Sequence, residues 1–176
     1  MKELYFRHLV DRYKDRIYTY ATYFLGDSEQ AKDVTQEVFI RFWQHLETLK
    51  MHKAKPWLFR VARNLCIDHH RRLKSQQQYL EHNMSDSLES LQHPDDGDNP
   101  TKHTEAVFMQ AELRNAIKQL PEIQQSIIIL KEIEGLSLKE VSQALETPIN
   151  TVKVYLMRAR ASMRKNLQKS LKTEWV

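Results

Sequence analysis

Cysteine is almost missing from this chain. Cys66 is the only one in 176 residues, so no intramolecular disulfide can form and a reducing compartment is the natural setting. Glycine and proline are scarce as well, at three and five residues. That disfavours a β-rich fold with many tight turns and leaves helix as the default. Long apolar runs are lacking: the densest, Ile127 to Leu130, falls far short of the roughly 20 residues that span a bilayer. The first residues, MKELYFRHLVDRYKDR, interleave charge with apolar side chains and hold no uninterrupted stretch of the kind a signal peptide needs. A cytoplasmic protein with no membrane insertion is expected. Catalytic equipment is missing too, since neither a glycine-rich phosphate loop nor a nucleophile and base at working spacing is present. Cys66, His69 and His70 do form C-x-x-H-H on a predicted helix, where i, i+3, i+4 geometry can present metal ligands on one face. No second cluster of comparable density completes that set, and Cys66 fits the apolar stripe beside Leu65. No enzyme activity, metal or cofactor is expected.

What is present is helical periodicity. Hydrophobic residues make up 41% of the chain, enough for packed cores. From about Lys2 to Lys74 they recur at helical spacing: Leu4, Leu9, Tyr13, Ile17, Tyr20, Ala21 and Phe24, then Val34, Val38, Phe42 and Leu46, then Leu58, Val61, Ala62 and Leu65. Gly26 can close the first of these helices in a left-handed conformation, and Asp27 followed by Gln30 can cap the second. Lys50 to Pro56 reads as a loop, with a helix restarting at Trp57. From Ser75 to about Thr104 large apolar residues thin out. Glu81, Asp86, Glu89, Asp95, Asp96 and Asp98 stand there against Lys102 as the only lysine or arginine, the composition of an acidic, flexible linker.

Helices return from Glu105. Phe108, Leu113, Ile117 and Leu120 mark one; Pro121 opens the next, which Gly135 can terminate. Ser137 with Glu140 makes a capping box for a third, Leu138 to Leu145. Asn150 is expected to cap a fourth, across the turn Glu146-Thr147-Pro148-Ile149. That is helix-turn-helix spacing. The expected fold is all-α: two small helical domains, residues 1–74 and 105–176, joined by a flexible acidic linker over 75–104, the C-terminal one containing the helix-turn-helix.

The formal charge of +4 leans towards a polyanionic partner only if it is clustered. It is. In the last helix Val152, Tyr155, Leu156, Ala159 and Met163 share one stripe, and the opposite face holds Asn150, Lys153, Val154, Met157, Arg158, Arg164 and Lys165. Cations without acids suit the major groove, where they neutralise phosphates and long side chains reach base edges. At the end of the first zone Arg60, Arg63, Arg71, Arg72 and Lys74 outnumber Asp68, with Trp57 and Phe59 beside them. Such a surface can stack on unpaired bases while holding the backbone electrostatically, although either ring serves equally well as core. The helix from Asp33 to Trp43 spends Val34, Val38 and Phe42 on a core and still has Phe39, Ile40 and Trp43 in excess. A helix-in-groove partner would use that excess, as would a central place in its own bundle.

Four stretches in order, DVTQEVFIRFW, PWLFRVARNLCIDHHRR, LPEIQQSIIILKEIEGLSLKEVSQAL and NTVKVYLMRAR, resemble the bacterial extracytoplasmic-function sigma factors over nearly the whole chain outside the linker. The resemblance implies a sigma factor that binds core RNA polymerase and directs promoter recognition, promoter melting and transcription initiation. It implies that Asp33, Gln36, Glu37, Phe39 and Trp43 dock on the clamp of the largest polymerase subunit, and that the C-terminal domain meets the flap of the second-largest. Lys53, Lys55, Trp57, Arg60, Arg63, Asn64, Asp68 and Arg71 would melt and read the minus-ten element. Asn150, Thr151, Lys153, Val154, Met157, Arg158 and Arg164 would read the minus-thirty-five element. An anti-sigma factor is a further candidate partner. Three departures bear on this: Glu146 stands where a turn glycine is usual, Asn150 replaces another glycine, and Val154, Tyr155 and Met157 occupy positions that are commonly polar or basic. Apolar contact with a thymine methyl is the alternative there. A response-regulator-type activator shares the G-L-S-x-K-E-V and T-V-K-x-Y-L stretches, but it would carry a receiver or ligand-sensing domain where this chain has a helical bundle.

Overall fold

The computed structural model describes residues 2–83 and 104–173. The N-terminal unit consists of α1 (Lys2–Leu25), α2 (Ser28–His45), a 3-10 turn (Met51–Lys53) and α3 (Ala54–Asn83). The C-terminal unit consists of α4 (Thr104–Lys118), α5 (Glu122–Ile128) running on into a π-helical turn (Ile129–Ile133), α6 (Leu138–Leu145) and α7 (Ile149–Thr173). Among the described residues there is no strand.

The helix boundaries follow from local chemistry. Gly26 takes φ +70°, which a residue without Cβ adopts freely, and ends α1. Asp27 then accepts the Gln30 backbone N–H at 2.9 Å and starts α2, a cap of the kind that contributes about 1 kcal/mol. Ser137 and Glu140 close a reciprocal capping box before α6, after Gly135 at φ +64° has turned the chain out of the π-helical turn.

Four boundaries differ from the sequence expectation. Helix α3 begins at Ala54, upstream of Trp57. Pro56 lies in its first turn, where backbone N–H groups have no intrahelical acceptor, so the missing donor costs nothing. The same helix runs on to Asn83, past Lys74, so its last turns occupy what reads as the start of the linker; residues 84–103 lie outside the described residues. The π-helical turn leaves no mark in the apolar pattern, and the Glu134 N–H bonds to the Ile129 carbonyl at 2.9 Å. Finally, α7 begins at Ile149, with the Pro148 carbonyl accepting the Val152 N–H at 3.0 Å. Asn150 therefore sits inside the first turn and is not the cap.

In the first unit Ile17, Tyr20, Phe42, Leu58 and Phe59 are fully buried; in the second Ile117, Ile127, Leu130, Leu136 and Val152 are. The units pack against each other, α1 on α4 and the π-helical turn, α3 on α6. Four polar contacts that cross this seam satisfy groups that burial would otherwise leave unpaired. Tyr20 donates its hydroxyl to Ser126 Oγ at 3.1 Å, and Gln125 Nε2 donates to the Phe24 carbonyl at 3.2 Å. Lys55 Nζ meets Glu140 Oε1 at 2.8 Å, and Arg60 pairs with Glu146.

Candidate nucleic-acid interface

Helix α7 is held by its apolar stripe. Val152, Leu156, Ala159 and Met163 are buried and Tyr155 half-buried, which turns Lys153, Val154, Met157, Arg158 and Arg164 to solvent. Asn150 is exposed and Thr151 half-buried at the helix start. Met157 is 65% exposed, an apolar side chain held out among cations. The turn that aims this helix is strained. Glu146 adopts φ +50°, ψ +39°, the left-handed region where a side chain is disfavoured. Ser142 pins the turn, donating its hydroxyl to the Thr147 carbonyl at 2.6 Å while its own carbonyl accepts the Thr147 N–H at 3.1 Å.

Arg160 adds a feature that the sequence reading did not single out. It donates Nε and Nη2 to Glu132 Oε1 at 3.1 and 2.6 Å, tying α7 to the π-helical turn. With Leu138, Lys153, Met157 and Arg164 it lines a shallow groove of about 530 Å³. Its i, i+7 relation to Lys153 was the available signal.

The arginine-rich face of α3 is divided. Asn64, Asp68 and Arg71 are exposed, and Arg63 is half-buried with Nη1 at 3.3 Å from Asn64 Oδ1. Arg60, Asn64, Asp68 and Arg71 follow the i, i+4, i+8, i+11 rule of one helical face. Lys53, Trp57 and Arg60 line a cleft of about 570 Å³ whose far wall is Gln143, Glu146 and Pro148 of the second unit. Trp57 is half-buried beside Phe42 and His45, with ring centroids 6.0 and 5.5 Å away. Phe59, by contrast, is fully buried edge-on to Tyr20 and cannot stack on a base. Cys66 is also fully buried, and burial pushes its thiol pKa well up, so it packs as a small apolar residue. Among the described residues no three metal-ligating side chains gather.

On α2, Asp33 and Gln36 are exposed, and Glu37 accepts Arg41 Nε at 2.7 Å. Trp43 and Ile40 are about half exposed, Trp43 lying edge-on to Phe6 at 4.9 Å. Phe39 is 8% exposed. It forms the floor of a groove of about 450 Å³ walled by Phe6, Val10, Gln36, Ile40 and Trp43, so it supports that surface more than it projects from it.

Residues 9–76 match the family described as Sigma-70 region 2, and residues 110–163 match Sigma-70, region 4. Over 93% of this chain and 89% of the relative, the sequence is 34% identical to the ECF RNA polymerase sigma factor SigW of Bacillus subtilis strain 168. The chain belongs to the extracytoplasmic-function sigma factors. This sigma factor is also 28% identical to the RNA polymerase sigma-H factor of Pseudomonas aeruginosa, over 93% of this chain and 86% of that one. Two solved structures share its fold. CnrH, in complex with the cytosolic domain of CnrY, has a TM-score of 0.70 at 21% identity, covering 93% of this chain and 88% of CnrH. The sigma factor RpoE of Bartonella quintana, in complex with the anti-sigma factor NepR, has a TM-score of 0.67 at 20% identity, covering 93% and 96%. Sigma factors are initiation factors and not enzymes. This one associates with core RNA polymerase and promoter DNA to direct promoter recognition and transcription initiation. Among the described residues no helix is long and apolar enough to cross a membrane.

Proposed function

We propose that α7 reads the minus-thirty-five element, that α3 with the 3-10 turn before it reads and melts the minus-ten element, and that α2 docks on the polymerase clamp. The observation that carries this is the division of α7. Its apolar stripe is buried while Lys153, Val154, Met157, Arg158 and Arg164 all face outward, the arrangement a recognition helix needs in a major groove. Lysines and arginines on that face neutralise phosphates and fix the register; a side chain near the helix start reaches base edges, and Val154 or Met157 offers a thymine methyl an apolar neighbour. On α3, Asn64, Asp68 and Arg71 present polar groups to an opened strand, and Lys53 with Trp57 supplies charge and a ring face. On α2, Ile40 and Trp43 above Phe39 form an apolar groove flanked by Asp33 and Gln36, suited to a helical partner. The C-terminal unit would rest on the flap of the second-largest subunit. Because CnrH and RpoE are seen with CnrY and NepR, an anti-sigma partner belongs to the same reading, as does a cytoplasmic location.

Promoter libraries transcribed by holoenzyme test the central assignment. Arg158→Ala should relax selectivity at one upstream base pair, costing about 1–3 kcal/mol there. Arg164→Ala should weaken all upstream sequences alike and lower the salt slope by about one unit. If both folded variants kept the wild-type dependence on the upstream element, α7 would not be the reader.

A further inference from the structure

Ser142 grips the turn between α6 and α7 with both its backbone and its side chain. Its carbonyl accepts the N–H groups of Glu146 and Thr147, the latter at 3.1 Å, and its hydroxyl donates to the Thr147 carbonyl at 2.6 Å. Thr147 Oγ1 tightens the same turn, donating to the Leu145 carbonyl at 3.0 Å. Within it Glu146 stands at φ +50°, the one residue other than glycine at positive φ among the described residues. A side chain in the left-handed region drives the backbone to relax towards the ordinary helical or extended regions. Such a change at Glu146 would carry the Thr147 carbonyl away from Ser142, so the hydroxyl bond opposes it.

We infer that Ser142 is a positioning residue for upstream-element selectivity: its hydroxyl holds Glu146 left-handed and so sets the rotation at which the first turns of α7 meet DNA. It acts through the turn, not by touching a base. Val152, Leu156, Ala159 and Met163 bury one side of α7, but apolar burial is non-directional. It fixes where the helix axis lies more firmly than it fixes rotation about that axis. Two polar ties of α7, Arg160 to Glu132 and Asn166 to the Ala116 carbonyl, lie farther along the helix than Lys153, Val154 and Met157. At the helix start the directional restraint comes from the turn. A side-chain tip about 6 Å from the axis moves roughly 2 Å for a rotation of about 20°, enough to take a donor out of hydrogen-bond range of a base edge. The inference rests on the assignment of α7 to the minus-thirty-five element.

A serine with only a structural role would act on stability, and that signal is small here. Ser142→Ala exchanges one hydrogen bond for the higher helix propensity of alanine in α6, so the thermal midpoint should move by no more than about 5 °C. Selectivity is the telling readout. Holoenzyme assembled with saturating full-length chain transcribes the strongest promoter from the library described above, and run-off product from the matched upstream element is compared with that from its single-base variants. Wild type should discriminate by about five- to hundredfold, and Ser142→Ala should lower that ratio at least about threefold. Glu146→Gly removes the strain, so alone it should leave the ratio within about twofold of wild type, and combined with Ser142→Ala it should restore the ratio to that range. Arg158→Ala runs beside them as the reference for a direct contact. A ratio unchanged by Ser142→Ala but lowered by Arg158→Ala overturns the positioning role alone; a ratio unchanged by both overturns it together with the α7 assignment. A loss in Ser142→Ala that Glu146→Gly leaves in place also overturns it, because coupling through the turn is then absent. If Ser142→Ala unfolds below the assay temperature, Ser142→Cys, close in shape but a weaker donor, carries the same comparison.

Discussion

Arg16 spans the seam to Glu134, donating Nε to Oε2 at 2.9 Å and Nη2 to the backbone carbonyl, while its guanidinium lies 5.6 Å from the Tyr13 ring centroid and 5.5 Å from that of Phe59. One side chain thus joins α1, the core of the first unit and the end of the π-helical turn. The pair is buried on the glutamate side, and removing one partner of such a pair is more harmful than its net worth suggests, because the other charge is left without compensation.

The first prediction follows from this site. Burial raises the Glu134 carboxyl above its ordinary value of 4.5, and the hydrogen bond and charge of Arg16, with the charge of Lys55, pull it back only in part. A carboxyl raised on folding gives the native state extra affinity for a proton, so its contribution is fully present below the ordinary value and is lost as pH rises through the raised one. Wild-type stability should therefore gain on Glu134→Gln as pH falls from about 7 towards about 5. Glu140 works the other way. Although burial raises it, hydrogen bonds from Lys55 and Ser137 bring it below 4.5, so its contribution is present above that value and lost beneath it. Thermal unfolding of both proteins across this range checks the sign; a gap that stays constant or narrows contradicts it.

Glu146 supplies the second prediction. Its φ of +50° carries a side chain in a region that glycine occupies without strain. Its partner Arg60 is a surface contact, the Glu146 side chain being 68% exposed, and such pairs contribute little. Glu146→Gly should stabilise the protein by about 0.5–1 kcal/mol despite the added freedom of the unfolded chain. Denaturant unfolding measures it.

Helix α2 gives the third. Ile40→Ala with Trp43→Ala should weaken binding to core polymerase by roughly 2–4 kcal/mol if these side chains are interface anchors. Both are about half exposed, so the folded state should lose little. Phe39→Ala should act in the opposite proportion, costing about 3–5 kcal/mol of stability as a buried aromatic. Anisotropy titrations with core enzyme, run beside thermal melts, separate the two effects.

The parts of the molecule legible in the sequence are those coded by near neighbours. Asp27 with Gln30 and Ser137 with Glu140 each lie three residues apart, and the stripe from Val152 to Met163 declares its own period. Phe59 was ambiguous because α3 has apolar residues on more than one side, and only the packing of Tyr20 shows which side is core. Asn150 has the chemistry of a cap, but the Pro148 carbonyl takes the first helical bond and the helix begins two residues earlier than that cap would start it. The π-helical turn inserts a residue without altering the apolar pattern around it. The seam was illegible for a different reason: Arg16 and Glu134 are 118 residues apart, and no local periodicity records such a pairing.

The central claim is that this chain confers promoter selection on RNA polymerase. Run-off transcription with purified core enzyme and fragmented DNA of the source genome tests it most directly. The account predicts discrete transcripts that appear only with the chain present, and whose start sites share two upstream elements at one spacing. Transcripts independent of the chain, or chain-dependent starts with no shared elements, would contradict it.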